Sequence, residues 1–240
     1  MQFNIFLKEK NIAHGVSETH FGSMRSLKKI LTFIKSLGYE KVKSENIVRA
    51  EQVFSNKVYL CKREDGGKKI KGVDALITNF PNQILAIISA DCLPILIYDE
   101  KKKVVAAIHG ARISLLNGIL EKTLGKMKKN FKSNPRNFLV AIGPHIRVCH
   151  YFFGNDLLGE VEKTEFKKYL IKKKKKTYFN LTKLAIFKLL KFGVKKENIE
   201  DCKICTYCHY KRFFSFRKIQ KNKNVYPEKD PRFVSFIGIL

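Results

Sequence analysis

Four short, almost unbroken apolar runs constrain this chain more than anything else in it. They are residues 84–89 (ILAIIS), 93–98 (LPILIY), 104–109 (VVAAIH) and 138–142 (FLVAI). Each has strand length. A strand with one wet face alternates apolar and polar side chains; these do not, so both faces must be covered. Helices are the expected cover. Residues 23–37 place Leu27, Ile30, Leu31, Ile34 and Leu37 at helical spacing, and Gly38 stops the pattern. Further helices are expected over 115–129, 156–170 and 181–192, and strands over 46–54, 213–218 and 234–240. The lysine run 172–176 reads as a surface loop between two helices. With no internal repeat and no Pro/Gly/Ser linker, the expectation is an α/β fold. It is a single domain over residues 1–240, with mixed, largely buried β-sheets covered by helices. A chain of 240 residues that is 45% hydrophobic has enough apolar surface for such a core.

Composition narrows the function classes. The formal net charge is +27, mostly from lysine spread along the whole length, as in the residue usage of an AT-rich coding sequence. Such a surface binds polyanions weakly and in a salt-sensitive way, so nucleic acid is expected only as a non-specific partner. No apolar run reaches the ~18–20 residues that cross a bilayer. The opening MQFNIFLKEKN lacks a basic start followed by an apolar stretch, so no signal peptide and a cytoplasmic location are expected. The six cysteines, at 61, 92, 149, 202, 205 and 208, are then expected as reduced thiols.

Three groups of residues are candidates for chemistry. Ala90-Asp91-Cys92 lies between two buried runs, where a carboxylate needs a partner. Asp91 is either functional or the cap of a turn, and Cys92 either reacts or packs. His109 ends the third run. If the second and third runs pair, Cys92 and His109 approach one another as a zinc-ligand pair or a Cys–His nucleophile pair. Cys202, Cys205 and Cys208 form tandem CxxC spacings followed by His209, which resemble metal ligands, and Cys149-His150 is the one other Cys/His group able to join them from a distance.

Several of these segments resemble the laccase-domain (YfiH-like) family. ADCLPILIYD (90–99) is similar to its ADCLPVLLxD, AAIHGARIS (106–114) to AAVHAGWRG, IGPHIRVCHYFF (142–153) to IGPCIxxCCYEV, and CTYC with RFFSFRK (205–208 and 212–218) to CTYC…RFFSYRR. HGVSETHFGSM (14–24) looks like the family's HGFSTR-type opening. The blocks stand in family order over nearly the whole chain. The resemblance implies a purine nucleoside phosphorylase acting on adenosine, guanosine, inosine or methylthioadenosine with phosphate, with adenosine deaminase activity. It also implies one zinc, with copper disfavoured, held by a Cys and two His. Cys92 and His109 match two of the ligands and would also be the catalytic pair. The third belongs to a QVHG motif that reads Gln52-Val53-Phe54-Ser55 here, so Phe54 stands at the His position. His145, which replaces the Cys of IGPC, and His14 are the candidate substitutes. Arg112 and Ile113 stand where the family has Trp and Arg, and Phe152 where it has Glu. Arg112 and Arg217 are the candidate phosphate clamps, because a guanidinium fork matches phosphate oxygens. A binding protein that has lost catalysis is the alternative. A copper oxidase of phenols would need several His-x-His pairs, which the chain lacks.

Overall fold

The computed structural model describes every residue except 154–158, 160, 163 and 174. Its centre is two sheets packed face to face. The first has the order β1 (Ile12–Val16), β14 (Phe233–Ile239), β6 (Gln83–Ser89), β2 (Ile47–Glu51), β4 (Lys69–Lys71). The second has the order β13 (Ile199–Asp201), β9 (Phe138–Ile142), β7 (Leu93–Asp99), β8 (Val104–Gly110), β5 (Ala75–Thr78), β3 (Val58–Leu60). Both are mixed. The central pairs β14–β6 and β7–β8 are antiparallel, whereas β2–β6 and β3–β5 are parallel. A small third sheet, β10 (Phe152–Phe153), β12 (Lys176–Phe179) and β11 (Leu170–Lys173), lies beside them.

The pleat sorts the apolar runs into two cores. Along β7 and β8, Leu93, Ile95, Ile97, Val104, Ala106 and Ile108 point to one face. Helices α4 (Ile119–Phe131) and α5 (Leu181–Lys191) cover it with Leu120, Leu124, Met127, Leu184 and Leu189. The alternate residues Leu96, Tyr98, Val105 and Ala107 point the other way, against Leu85, Ile87, Phe233 and Ile237 of the first sheet. The expectation that helices cover both faces is therefore corrected: they cover one, and the other sheet covers the second. The far face of the first sheet is closed by α2 (Leu27–Ser36), whose Ile30, Phe33 and Ile34 meet Ile84, Ala86 and Phe236. Ser26 caps this helix by accepting from the Lys29 N–H.

Four other local expectations need correction. The helix expected over 115–129 is two helices, α3 (Arg112–Leu116) and α4, separated at Gly118, whose φ of +81° turns the chain between them. Part of the helix expected over 156–170 lies outside the described residues. Of the remainder, Gly159, Val161 and Glu162 are helical as expected, whereas Glu165–Tyr169 is a 3₁₀ turn and Leu170 opens β11. Of the lysine run, Lys172, Lys173 and Lys176 lie in the paired strands β11 and β12 rather than in a loop between helices. Residues 213–218 are not a strand: Phe213 and Phe214 plug the inter-sheet core and Phe216 begins α6 (Phe216–Lys221).

Candidate active site

The turn Ala90–Cys92 carries the chain from β6 in the first sheet to β7 in the second. Asp91 makes the corner at φ +85°, a conformation Asp tolerates better than most residues. Its buried carboxylate accepts the Thr206 hydroxyl at 2.5 Å and the Arg217 N–H at 2.6 Å, and its carbonyl accepts the Ile146 N–H at 2.9 Å. Burial pushes the carboxyl up, and the hydrogen bonds from Thr206 and Arg217 oppose that. Of the two roles open to Asp91, the geometry gives it the structural one: it ties three separate segments to the corner.

Cys92 and His109 do meet. Pro94 pairs with His109 across β7–β8, and Cys92 lies two residues before Pro94, on the same side of the pleat. The thiol hydrogen-bonds the imidazole, and on the other side His109 Nδ1 lies 2.8 Å from Asp74 Oδ1. Burial works against protonating this ring, but Cys92 and Asp74 outweigh it and raise His109 to about 9. Asp74 has a second task. It accepts the backbone N–H groups of Val53, Phe54 and Ser55, at 3.1, 3.1 and 2.7 Å, and so folds the 52–55 loop onto the site. Gln52 fixes the loop's other end by bonding both the N–H and the C=O of Ile88. Phe54, at the position where the resemblance implies a histidine ligand, is held at φ +60°, with its ring edge-on to His109 at 5.4 Å between centroids. A bulky residue in that backbone region stores strain of about 1–3 kcal/mol, which the Asp74 hydrogen bonds hold in place.

Cys92, His109, Gln52 and Phe54 line a cleft of about 510 Å³. Arg112, Tyr151, Phe216 and Arg217 also line it. Arg112, buried at the start of α3, hydrogen-bonds the Tyr151 hydroxyl, which burial and the neighbouring Cys92 push well up. Arg217 donates to the Phe152 carbonyl at 3.2 Å and lies 4.9 Å from the centre of the Phe152 ring. The candidate phosphate clamps thus share one cleft with Cys92 and His109. The sequence reading missed Asp74 and Tyr151. For Asp74 the signal was the one used for Asp91, a lone acid (GVDALIT) at the edge of a buried run.

The two substitute ligands are elsewhere. His14 lies on β1, where its Nε2 accepts the Phe3 N–H at 3.0 Å. His145 is fully buried, with Nδ1 on the Gly143 carbonyl at 2.8 Å and Nε2 on the Thr182 hydroxyl at 2.7 Å. Both are held as neutral rings by burial, at about 4, and neither lines the cleft. Among the described residues, Cys92 and His109 are thus two donors that no group of three or more includes, and Phe54 offers none. The family's three-ligand metal set does not fit this cleft.

A different Cys/His cluster is present. Cys149, His150, Cys205 and Cys208 bring one ligand atom each to within 4.8 Å of one another, an arrangement that could hold a metal ion. Cys202 is not part of it; it packs at the edge of the inter-sheet core. His209 bonds the Cys205 carbonyl instead.

Solved structures share this architecture. The chain superposes on YlmD from Geobacillus stearothermophilus with a TM-score of 0.83 at 20% identity, covering 99% of this chain and 94% of that one. For the hypothetical protein YfiH of Bacillus licheniformis the TM-score is 0.81 at 21% identity, with 95% and 93% covered. Residues 29–239 match the family described as "Multi-copper polyphenol oxidoreductase laccase", and the chain belongs to that family. Relatives named purine nucleoside phosphorylase include proteins of Bacteroides thetaiotaomicron, 34% identical over 154 residues (62% of this chain), and Clostridium acetobutylicum, 35% over 162 residues (66% of this chain). The matched segments span 57% and 66% of those two relatives. A Campylobacter jejuni protein of the same name is 31% identical over 202 residues, 84% of this chain and 80% of its own length.

Proposed function

We propose that the cleft binds a purine nucleoside and inorganic phosphate and carries out phosphorolysis of the glycosidic bond. The observation that carries this reading is the convergence of Arg112 and Arg217 on the cleft that holds Cys92, His109 and Tyr151. The names of the relatives supply the substrate class. In the reaction a phosphate oxygen bonds to the ribose carbon, the C–N bond breaks, and its electron pair goes to the purine, which takes up a proton. The nucleophile is already an anion, so what it needs is positioning and charge, which two guanidinium groups give. His109 and Tyr151 are the proton-bearing groups on the cleft wall, and Phe54 and Phe216 offer aromatic faces to a base. Zinc at this cleft would have Cys92 and His109 as its protein donors among the described residues, short of the three that the resemblance implies, so no step of the proposal runs through it. Adenosine deamination requires an activated water, which a two-donor zinc would have to supply, so the proposal is confined to phosphorolysis.

The test is to incubate adenosine, inosine, guanosine and methylthioadenosine with and without phosphate and to separate the products. Phosphate-dependent release of free base and pentose 1-phosphate, abolished in Cys92→Ala and His109→Ala, is the expected result. A nucleoside that binds calorimetrically but is never cleaved would favour the second reading, a binding protein. Phe54, whose ring fills the site of the missing ligand against His109, is the observation on that side.

A further inference from the structure

We infer that Cys149, His150, Cys205 and Cys208 form a closed, four-ligand zinc site that staples two loops behind the cleft. In a tetrahedral zinc centre with Zn–S of about 2.3 Å and Zn–N of about 2.0 Å, neighbouring sulfurs lie about 3.8 Å apart and sulfur and nitrogen about 3.5 Å apart. Cys149 Sγ lies 3.9 Å from Cys208 Sγ, and His150 Nδ1 lies 3.3 Å from each of those sulfurs. Cys205 completes the group. Three thiolates and an imidazole are a donor set that selects zinc over hard cations. With all four positions filled by protein there is no open position for substrate, so the site is structural. Binding exchanges three thiol protons for the dication and leaves one net negative charge. The fixed cations Lys218 and Lys221 stand beside it, over the face of Tyr207 at 4.3 and 5.3 Å, and Tyr207 in turn stacks on His150 at 4.2 Å.

The staple's position gives it a purpose. One loop runs from β9 through Cys149 and His150 into Tyr151, a wall of the cleft. The other carries Thr206, which holds Asp91 and through it the Arg217 backbone. The two loops already touch through His145 and Cys205, with the Thr206 N–H on the His145 carbonyl at 3.0 Å. A metal between them fixes Tyr151 and Arg217 relative to the Cys92 corner.

The experiment uses the full-length, untagged protein purified under reducing conditions. Metal content by mass spectrometry should give about one zinc per chain, kept in Cys92→Ala and lost in Cys208→Ser. X-ray absorption of the wild type should show three sulfurs and one nitrogen around the zinc, a result that does not depend on any variant folding. A wild type without zinc, zinc with a single sulfur ligand, or zinc lost with Cys92→Ala and retained in Cys208→Ser would each overturn the site. So would a Cys149–Cys208 disulfide that persists in the reduced preparation, read as an intact mass lower by two hydrogen atoms.

Discussion

Asp74 shows how one carboxylate can define a site. It orients His109 through Nδ1 and gathers three backbone N–H groups of the 52–55 loop. Asp74→Asn keeps the shape and removes the charge. His109 then loses the carboxylate that fixes its ring and its proton. Proton transfer by a positioned side chain contributes about 10²- to 10⁴-fold, so a fall in kcat/KM for phosphorolysis of up to about 10²-fold, with an unchanged circular dichroism spectrum, is expected. Phe54→His works in the opposite direction. The loop is already folded against His109, so a third donor arrives without rearrangement. In a Cys208→Ser background this change should raise the zinc content at Cys92 and His109, as read by mass spectrometry. His14 and His145 make a different prediction. Each is held neutral at about 4, against 6.5 for the free ring. Between those values the unfolded chain binds the proton and the folded chain does not. The stability is therefore full above pH 6.5 and is lost as pH falls toward 4. At pH 5 the loss from His14 is about 2 kcal/mol, and His145 adds in the same direction. Urea midpoints at pH 7.5 and 5 measure it.

Elements were legible where one local pattern decides them. The runs at 93–98, 104–109 and 138–142 became β7, β8 and β9 with shifts of at most one residue, because an unbroken apolar run between turn residues has one way to be buried. The segment 213–218 was misread because its aromatic run looks β-like. Phe213 and Phe214 are instead buried by a loop, and Ser215 caps a short helix by accepting from the Lys218 N–H. The break at Gly118 was hidden because the apolar spacing carries on across it. Cys92 and His109 could be paired from sequence because strand register joins them. Asp74 also reaches His109 through strand register, that of β5 with β8, but no strand was expected over residues 75–78, so it was not paired. The members of the Cys149–Cys208 group were candidates from the sequence, but their meeting depends on how separate loops fold over strand ends. The corner at Asp91 is the element on which these loops depend. Asp91→Ala leaves the Thr206 hydroxyl and the Arg217 N–H without an acceptor, at about 1–3 kcal/mol each. A lower urea midpoint is expected, with KM for phosphate rising more than kcat falls.

At the scale of the whole molecule, the +27 charge has a measurable consequence. Binding to heparin that is strong at low ionic strength and gone at several hundred millimolar salt is expected, with no preference among nucleic-acid sequences. Retention at high salt, or sequence preference, would sink the view that the lysines act only as a diffuse field. No helix among the described residues is long and apolar enough to cross a membrane. One more feature reaches across the whole chain. From β2 to β7 each successive strand lies in the opposite sheet from the one before, until the Asp91 corner makes the last of these crossings. The backbone is a thread sewn back and forth through two layers of cloth. No single cut divides it into halves that each keep a finished layer, so split fragments should not fold alone. Nor can the layers part like the covers of a book to admit a ligand, and whatever enters the cleft must fit between stitches already drawn tight.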